Sequence, residues 1–104
     1  MSDNFVIASA ALTNSVGLHA RPSVKLTQLA KSFASRLEVA LAPDGPWVDA
    51  KSPIKIMRVK ALKGTVLHVR AHGSDAAEAV ASIVELVERR FDEKEHPLLE
   101  EVRG

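Results

Sequence analysis

The residues with the clearest chemical potential lie together in Gly17-Leu18-His19-Ala20-Arg21-Pro22. Histidine is a neutral nucleophile near pH 7, and its ring nitrogen can carry a covalent phosphoryl group. Periodicity downstream of the segment changes to that of a helix, so His19 is expected just before a helix start. Backbone N–H groups there lack intrahelical partners, and the helix dipole favours an anion. Arg21 adds a fixed positive charge within two residues, and Gly17 lets the chain turn tightly before it. These types in this order suit a histidine that accepts a phosphoryl group, with the new charge stabilised by the helix and by Arg21. A capping histidine beside a surface arginine has the same residue types. From composition alone that plainer reading is the commoner one, since a lone His-x-Arg is a weak signal.

A second segment carries charge. Lys51, Lys55, Arg58, Lys60 and Lys63 fall within 13 residues that contain no acid. Such a run is ordinarily a solvated face; its alternative is a docking surface for an acidic partner. The run holds no aromatic residue, and the chain has only three Phe and one Trp, so nucleic acid is not expected as a partner. Ser52-Pro53 reads as an N-cap with proline at the first helical position, opening a short helix to about Arg58. Ile54 and Met57 lie one turn apart on it, with Ile54 expected outward and Met57 shared between core and surface. Val24 falls off the apolar stripe of its helix and shares a face with Ala20 and Arg21. It is either a half-exposed valine or an apolar contact beside His19. His68 and His72 lie on one strand, about 13 Å apart, too far to share a metal ion, and no metal site is expected. His96 is assigned no role.

The elements that must position these residues follow from periodicity. Residues 5–13 alternate, with Val6, Ala8, Ala10 and Leu12 on one side. Leu26, Leu29, Ala30 and Phe33 give helical spacing from Arg21 to Phe33, and Pro22 sits in a turn that tolerates it. Residues 36–41 alternate with Leu37, Val39 and Leu41 on one face. Pro43-Asp44-Gly45-Pro46 is a turn, after which Trp47 to Ala50 form a returning strand. Trp47 is expected to pack at the sheet edge. Residues 65–71 place Leu67, Val69 and Ala71 inward. Asp75-Ala76-Ala77-Glu78 fits a capping box, followed by a stripe of Val80, Ile83, Val84, Val87 and Phe91. The order β-α-β-β-α-β-α, with two long amphipathic helices, predicts an α+β two-layer sandwich: helices cover one sheet face and the other is open to water.

The chain has 104 residues, 46% hydrophobic and 26% charged, which suits one domain. It has no cysteine, which excludes disulfides, thiolate metal sites and cysteine nucleophiles. No stretch reaches the ~18 apolar residues of a membrane span, and the start has no signal-peptide core. A cytoplasmic protein without membrane insertion is expected. Residues 1–91 carry twelve Lys/Arg against eight Asp/Glu, whereas residues 92–104 carry two against five. The expected division is therefore one domain over 1–91 and an acidic C-terminal tail over 92–104.

Gly-Leu-His-Ala-Arg-Pro at 17–22 resembles the phosphorylation-site motif of the histidine-containing phosphocarrier (HPr) family of the bacterial phosphoenolpyruvate-dependent phosphotransferase system. The resemblance continues through Ala50-Lys51-Ser52, Lys63-Gly64-Thr65 and the final helix, over about residues 6–91. It implies an open-faced β-sandwich with a four-stranded antiparallel sheet and three helices. It also implies that His19 is the phosphoacceptor through Nδ1, and that Arg21 and the backbone N–H groups around Ala20 stabilise the phosphoryl group. The implied donor is enzyme I and the implied acceptor a histidine of an IIA-type protein. Val24, Ile54, Lys55, Met57 and Arg58 become the expected partner-docking residues. Ser52 matches the serine that an HPr serine kinase modifies in some members. The chain departs from the family at Val16, where asparagine is common, and at Pro53, where a bulky apolar residue is usual. A phosphoryl-transfer intermediate needs no cofactor and has no turnover of its own, and a monomer is expected. The alternative is a regulatory member whose phosphorylation state controls partners rather than sugar uptake. An unrelated ligand-binding domain, with His19 only a cap, would show no labelling from phosphoenolpyruvate.

Overall fold

The computed structural model describes residues 5–14 and 17–92. The elements are β1 (Val6–Ala11), α1 (Ala20–Lys31), β2 (Arg36–Ala40), β3 (Val48–Asp49), α2 (Pro53–Val59), β4 (Val66–His72) and α3 (Ala76–Glu88), followed by a single 3-10 turn at Arg90–Asp92. The sheet order is β1-β4-β2-β3, antiparallel throughout. The expected element order and open-faced α+β sandwich are thus the observed ones.

Period-2 alternation builds the inner sheet face. Leu67, Val69 and Ala71 of β4 and Leu37 and Val39 of β2 are fully buried, and Val39 pairs with Val69 across the register. Onto this face α1 lays Leu26 and Ala30, and α3 lays Val80, Ile83 and Val87. Ala76, Ala79 and Leu86 widen the α3 stripe, and the polar Ser23 and Thr27 are buried on the inner face of α1. Ile56, central in α2, is a core residue. Phe91 closes the core. Its burial contributes roughly 1.5–3 kcal/mol, as for any large apolar side chain taken fully from water. Lys25 Nζ donates to the Phe91 carbonyl at 2.8 Å, tying the C-terminal turn to α1. The acidic tail expected from residue 92 lies, beyond Asp92, outside the described residues.

Three local expectations are corrected. Leu41 does not continue the inward row of β2: the strand ends at Ala40 and Leu41 is 40% exposed. The returning strand is only Val48–Asp49, and Trp47 precedes it. The Trp47 ring lies under the Arg70 guanidinium at 4.3 Å, which holds it against the open sheet face. Asp75 stands at the N-cap of α3 but makes no side-chain cap bond. Its carboxylate instead accepts the amides of Ala34 and Ser35, each at 2.9 Å, and the Ser35 hydroxyl. The chain thereby closes the α1–β2 corner onto the start of α3. The Ser35 hydroxyl first, and the Ala34 amide next, hold the Asp75 carboxyl below its ordinary value.

The open face of the sheet carries Glu38, His68, Arg70 and His72 together with the exposed Ile7 and Val66. Arg70 pairs with Glu38 at 2.7 Å and also stacks on Phe5 at 4.4 Å. His72 meets the Phe5 ring at a centroid distance of 5.5 Å. Among the described residues, no helix is long and apolar enough to cross a membrane.

Candidate functional site

His19 is the N-cap of α1, with extended backbone (φ −101°, ψ −160°). Its carbonyl accepts the Ser23 amide at 3.0 Å, the first bond of the helix. Its side chain does not cap the helix amides. Ala20 and Arg21 occupy the first two helical positions, where an N–H has no partner within the helix, and Pro22 has no N–H to satisfy. His19, Ala20 and Arg21 are all exposed. A nucleophilic ring, two backbone donors and a guanidinium therefore open to solvent at the positive end of a 12-residue helix.

The approach to this helix is built by Gly17. Its φ is +69°, a conformation that residues with a Cβ rarely adopt. A Cβ there would collide with the Ala61 carbonyl oxygen and come within 2.9 Å of the Leu62 backbone. The neighbouring Leu18 amide donates to that same Ala61 carbonyl at 2.9 Å. The Asn14 Nδ2 donates to the Gly17 carbonyl at 2.8 Å, a buried bond within the loop. The loop that presents His19 is thus pressed against the segment leaving α2.

The second segment is placed as expected in most respects. The Ser52 hydroxyl accepts the Lys55 amide at 3.3 Å, an N-cap with Pro53 following it. Ile54 is 59% exposed, Met57 is half-buried, and Lys55 and Arg58 are exposed. Val24 is 41% exposed on α1, and α1 packs against α2. Lys51 does not join the basic surface in the same way: its Nζ donates to the Phe33 carbonyl at 2.8 Å and ties off the end of α1. Lys60 ends α2 in the left-handed conformation (φ 56°).

Leu62 is a residue the periodicity did not single out. It is 69% exposed and its backbone abuts Gly17. The available signal was a leucine outside every apolar stripe, inside a basic run. His68 and His72 both lie on β4, separated by Val69, Arg70 and Ala71. Among the described residues no three His, Cys, Asp or Glu side chains gather as a metal-binding group.

Fold and site together define an open-faced antiparallel α+β sandwich with an exposed histidine at the mouth of its first helix. The family model PTS-HPr, described as the phosphotransferase-system HPr component phosphorylation site, matches residues 7–89. The phosphocarrier protein HPr of Cupriavidus necator is 40% identical over 84 residues, covering 81% of this chain and 92% of that protein. The crystal structure of HPr-C-His from Thermoanaerobacter tengcongensis superposes with a TM-score of 0.78 at 35% identity, covering 86% of this chain and 98% of that one. The solution structure of Crh, the Bacillus subtilis catabolite repression HPr, has a TM-score of 0.59 at 30% identity, covering 79% of this chain and 95% of that one. The chain belongs to the HPr family of phosphocarrier proteins of the phosphotransferase system.

Proposed function

We propose that His19 is the phosphoacceptor and that the protein relays phosphoryl groups from enzyme I to a histidine of an IIA-type protein. The lone pair of His19 Nδ1 attacks the phosphorus of the donor's phosphohistidine. The new N–P bond forms as the donor's N–P bond breaks; the donor ring, protonated at its other nitrogen, leaves as neutral imidazole, and His19 keeps its Nε2 proton and becomes the protonated phosphoimidazole. The reverse geometry delivers the group to the acceptor. The protein has no turnover of its own and needs no cofactor: it is a substrate of one partner and a donor to the next.

The observation that carries this reading is His19 at the N-cap of α1 without a side-chain cap bond, which leaves the first helical amides to the incoming anion. Arg21, two residues on, neutralises the charge that phosphorylation adds. Val24, Ile54, Met57 and Leu62 form the apolar part of the docking face, and Lys55 and Arg58 its basic part. That pairing suits a partner presenting an apolar patch ringed by acids. Ser52 is a regulatory position at the edge of this face. The decisive experiment is a label chase: protein charged with labelled phosphate by enzyme I and phosphoenolpyruvate should pass the label to an IIA protein. Retention of all label in the presence of candidate IIA proteins would remove the relay role.

A second reading, a regulatory member of the family, is favoured by the similarity to the catabolite repression HPr. It predicts charging at His19 without transfer to IIA proteins, and partner binding that depends on the charged state.

A further inference from the structure

A cleft of about 310 Å³ lies between α2 and the end of β2, away from the His19 loop in sequence. Its walls are apolar: Leu41, Pro46, Val48 and Val59 line it. Leu41 is 40% exposed there because β2 ends before it, so its apolar side chain lines the cleft instead of the core. Two cations stand at this cleft, Lys55 and Arg58, three residues apart on α2 and both exposed. Both also border an adjoining depression that contains Glu38 and Asp49.

Glu38 is ion-paired with Arg70 at 2.7 Å; Asp49 Oδ1 accepts the Lys51 amide at 2.9 Å and keeps its charge, but forms no ion pair with either cation. Among the described residues neither Lys55 nor Arg58 pairs with a carboxylate. The site therefore combines a small apolar depression with two cations at one side, neither held in an ion pair by a described carboxylate, against one unpaired acid, Asp49, in the adjoining depression. Its volume is at the lower end for small-molecule sites, enough for one ring or a short chain. Two cations, one of them a guanidinium fork, match a dianion better than a single carboxylate.

We propose that this cleft binds a small phosphomonoester with an apolar body: the body on Leu41, Pro46, Val48 and Val59, the phosphate on Lys55 and Arg58. Lys55 and Arg58 are also the cations assigned above to partner docking, so ligand and partner compete for the same charges. The binding claim itself does not depend on that docking.

Phenyl phosphate is a suitable probe, titrated into 15N-labelled full-length protein. The amides of Leu41, Val48 and Val59 should shift and saturate, with an affinity of about 1 mM. Phenol and inorganic phosphate should each bind at least about tenfold more weakly at these amides, since each supplies half of the recognition. The double variant Lys55→Gln, Arg58→Gln should weaken phenyl phosphate by about tenfold or more, with the rest of the spectrum unchanged because both side chains are exposed. Shifts that do not saturate, that persist in the double variant, or that are matched by inorganic phosphate alone would overturn the proposal. So would shifts confined to Ala20 and Arg21, or tighter binding at the cleft by an acidic peptide such as Glu-Leu-Glu-Glu.

Discussion

The Leu18 amide donates to the carbonyl of Ala61 at 2.9 Å, and this one bond joins the loop carrying His19 to the segment that leaves α2. The His19 loop and α2 are thereby fixed relative to each other, though more than 40 residues separate the two bonded positions in the chain. A partner that docks on α2 meets His19 at a set place rather than on a loose loop, and orientation of this kind is a large part of any transfer rate.

Gly17 is the residue that permits this approach. Gly17→Ala places a Cβ against the Ala61 carbonyl and strains a φ of +69°. The variant should lose roughly 1–3 kcal/mol of stability in denaturant unfolding. It should also accept phosphate more slowly at temperatures where it remains folded. Wild-type stability and transfer would show that the loop relaxes without cost.

Arg21→Ala removes the guanidinium beside the proposed phosphoryl position and touches nothing in the core, since Arg21 is exposed. Charge-assisted hydrogen bonds of roughly 1.5–3 kcal/mol correspond to a loss of about 10- to 150-fold in single-turnover transfer. The thermal midpoint should stay where it is. Unchanged transfer would make Arg21 a bystander.

Ser52→Asp keeps an oxygen acceptor for the Lys55 amide, so α2 should remain folded and the thermal midpoint nearly constant. The added negative charge sits one turn from Lys55 and lowers the attraction between this face and an acidic partner. Association with enzyme I should slow at low ionic strength, and the difference should shrink near 0.1 M salt, where the Debye length is about 10 Å. Equal rates at low salt would remove the electrostatic account of Ser52.

Asp75 supplies a pH dependence. Its carboxyl is held below the ordinary value of 3.8, chiefly by the Ser35 hydroxyl and then by the Ala34 amide. A carboxylate held down in this way stabilises the fold wherever the unfolded chain's carboxylate is ionised, above about 3.8. That contribution disappears as the pH falls through the lower folded value. Asp75→Asn should lower the thermal midpoint at pH 7 and flatten its decline below about pH 4. A midpoint curve parallel to wild type throughout would mean the corner at Ala34–Ser35 is held by other contacts.

Much of this architecture was legible because it repeats. The alternation of Leu67, Val69 and Ala71 and the spacing of Val80, Ile83, Val84, Val87 and Phe91 report one buried side per element; all are buried except Val84, which is half-buried at the rim of the core. Ser52-Pro53 was legible as a helix start because an N-cap bond is local. Asp75 was not, because its partners lie 40 and 41 residues away and an N-cap residue with Glu three places on suggests only the nearer bond. Lys51 was counted with the basic surface for the same reason: its bond to Phe33 crosses 18 residues. Leu41 failed because alternation carries no mark of where a strand stops. At the site itself, the motif pointed to His19 and Arg21, while the contact of Gly17 with Ala61 and Leu62 exists only once the chain is folded.

The most direct measurement of the central claim is phosphorylation by enzyme I and labelled phosphoenolpyruvate, wild type against His19→Ala. Wild type should take up one phosphoryl group per chain, in a linkage that is labile to acid and stable to alkali, as an N–P bond requires. His19→Ala should take up none while retaining the wild-type circular dichroism spectrum, since His19 is exposed and outside the core. Acid-labile labelling that persists in His19→Ala, or a wild type that takes up no label, would contradict the assignment.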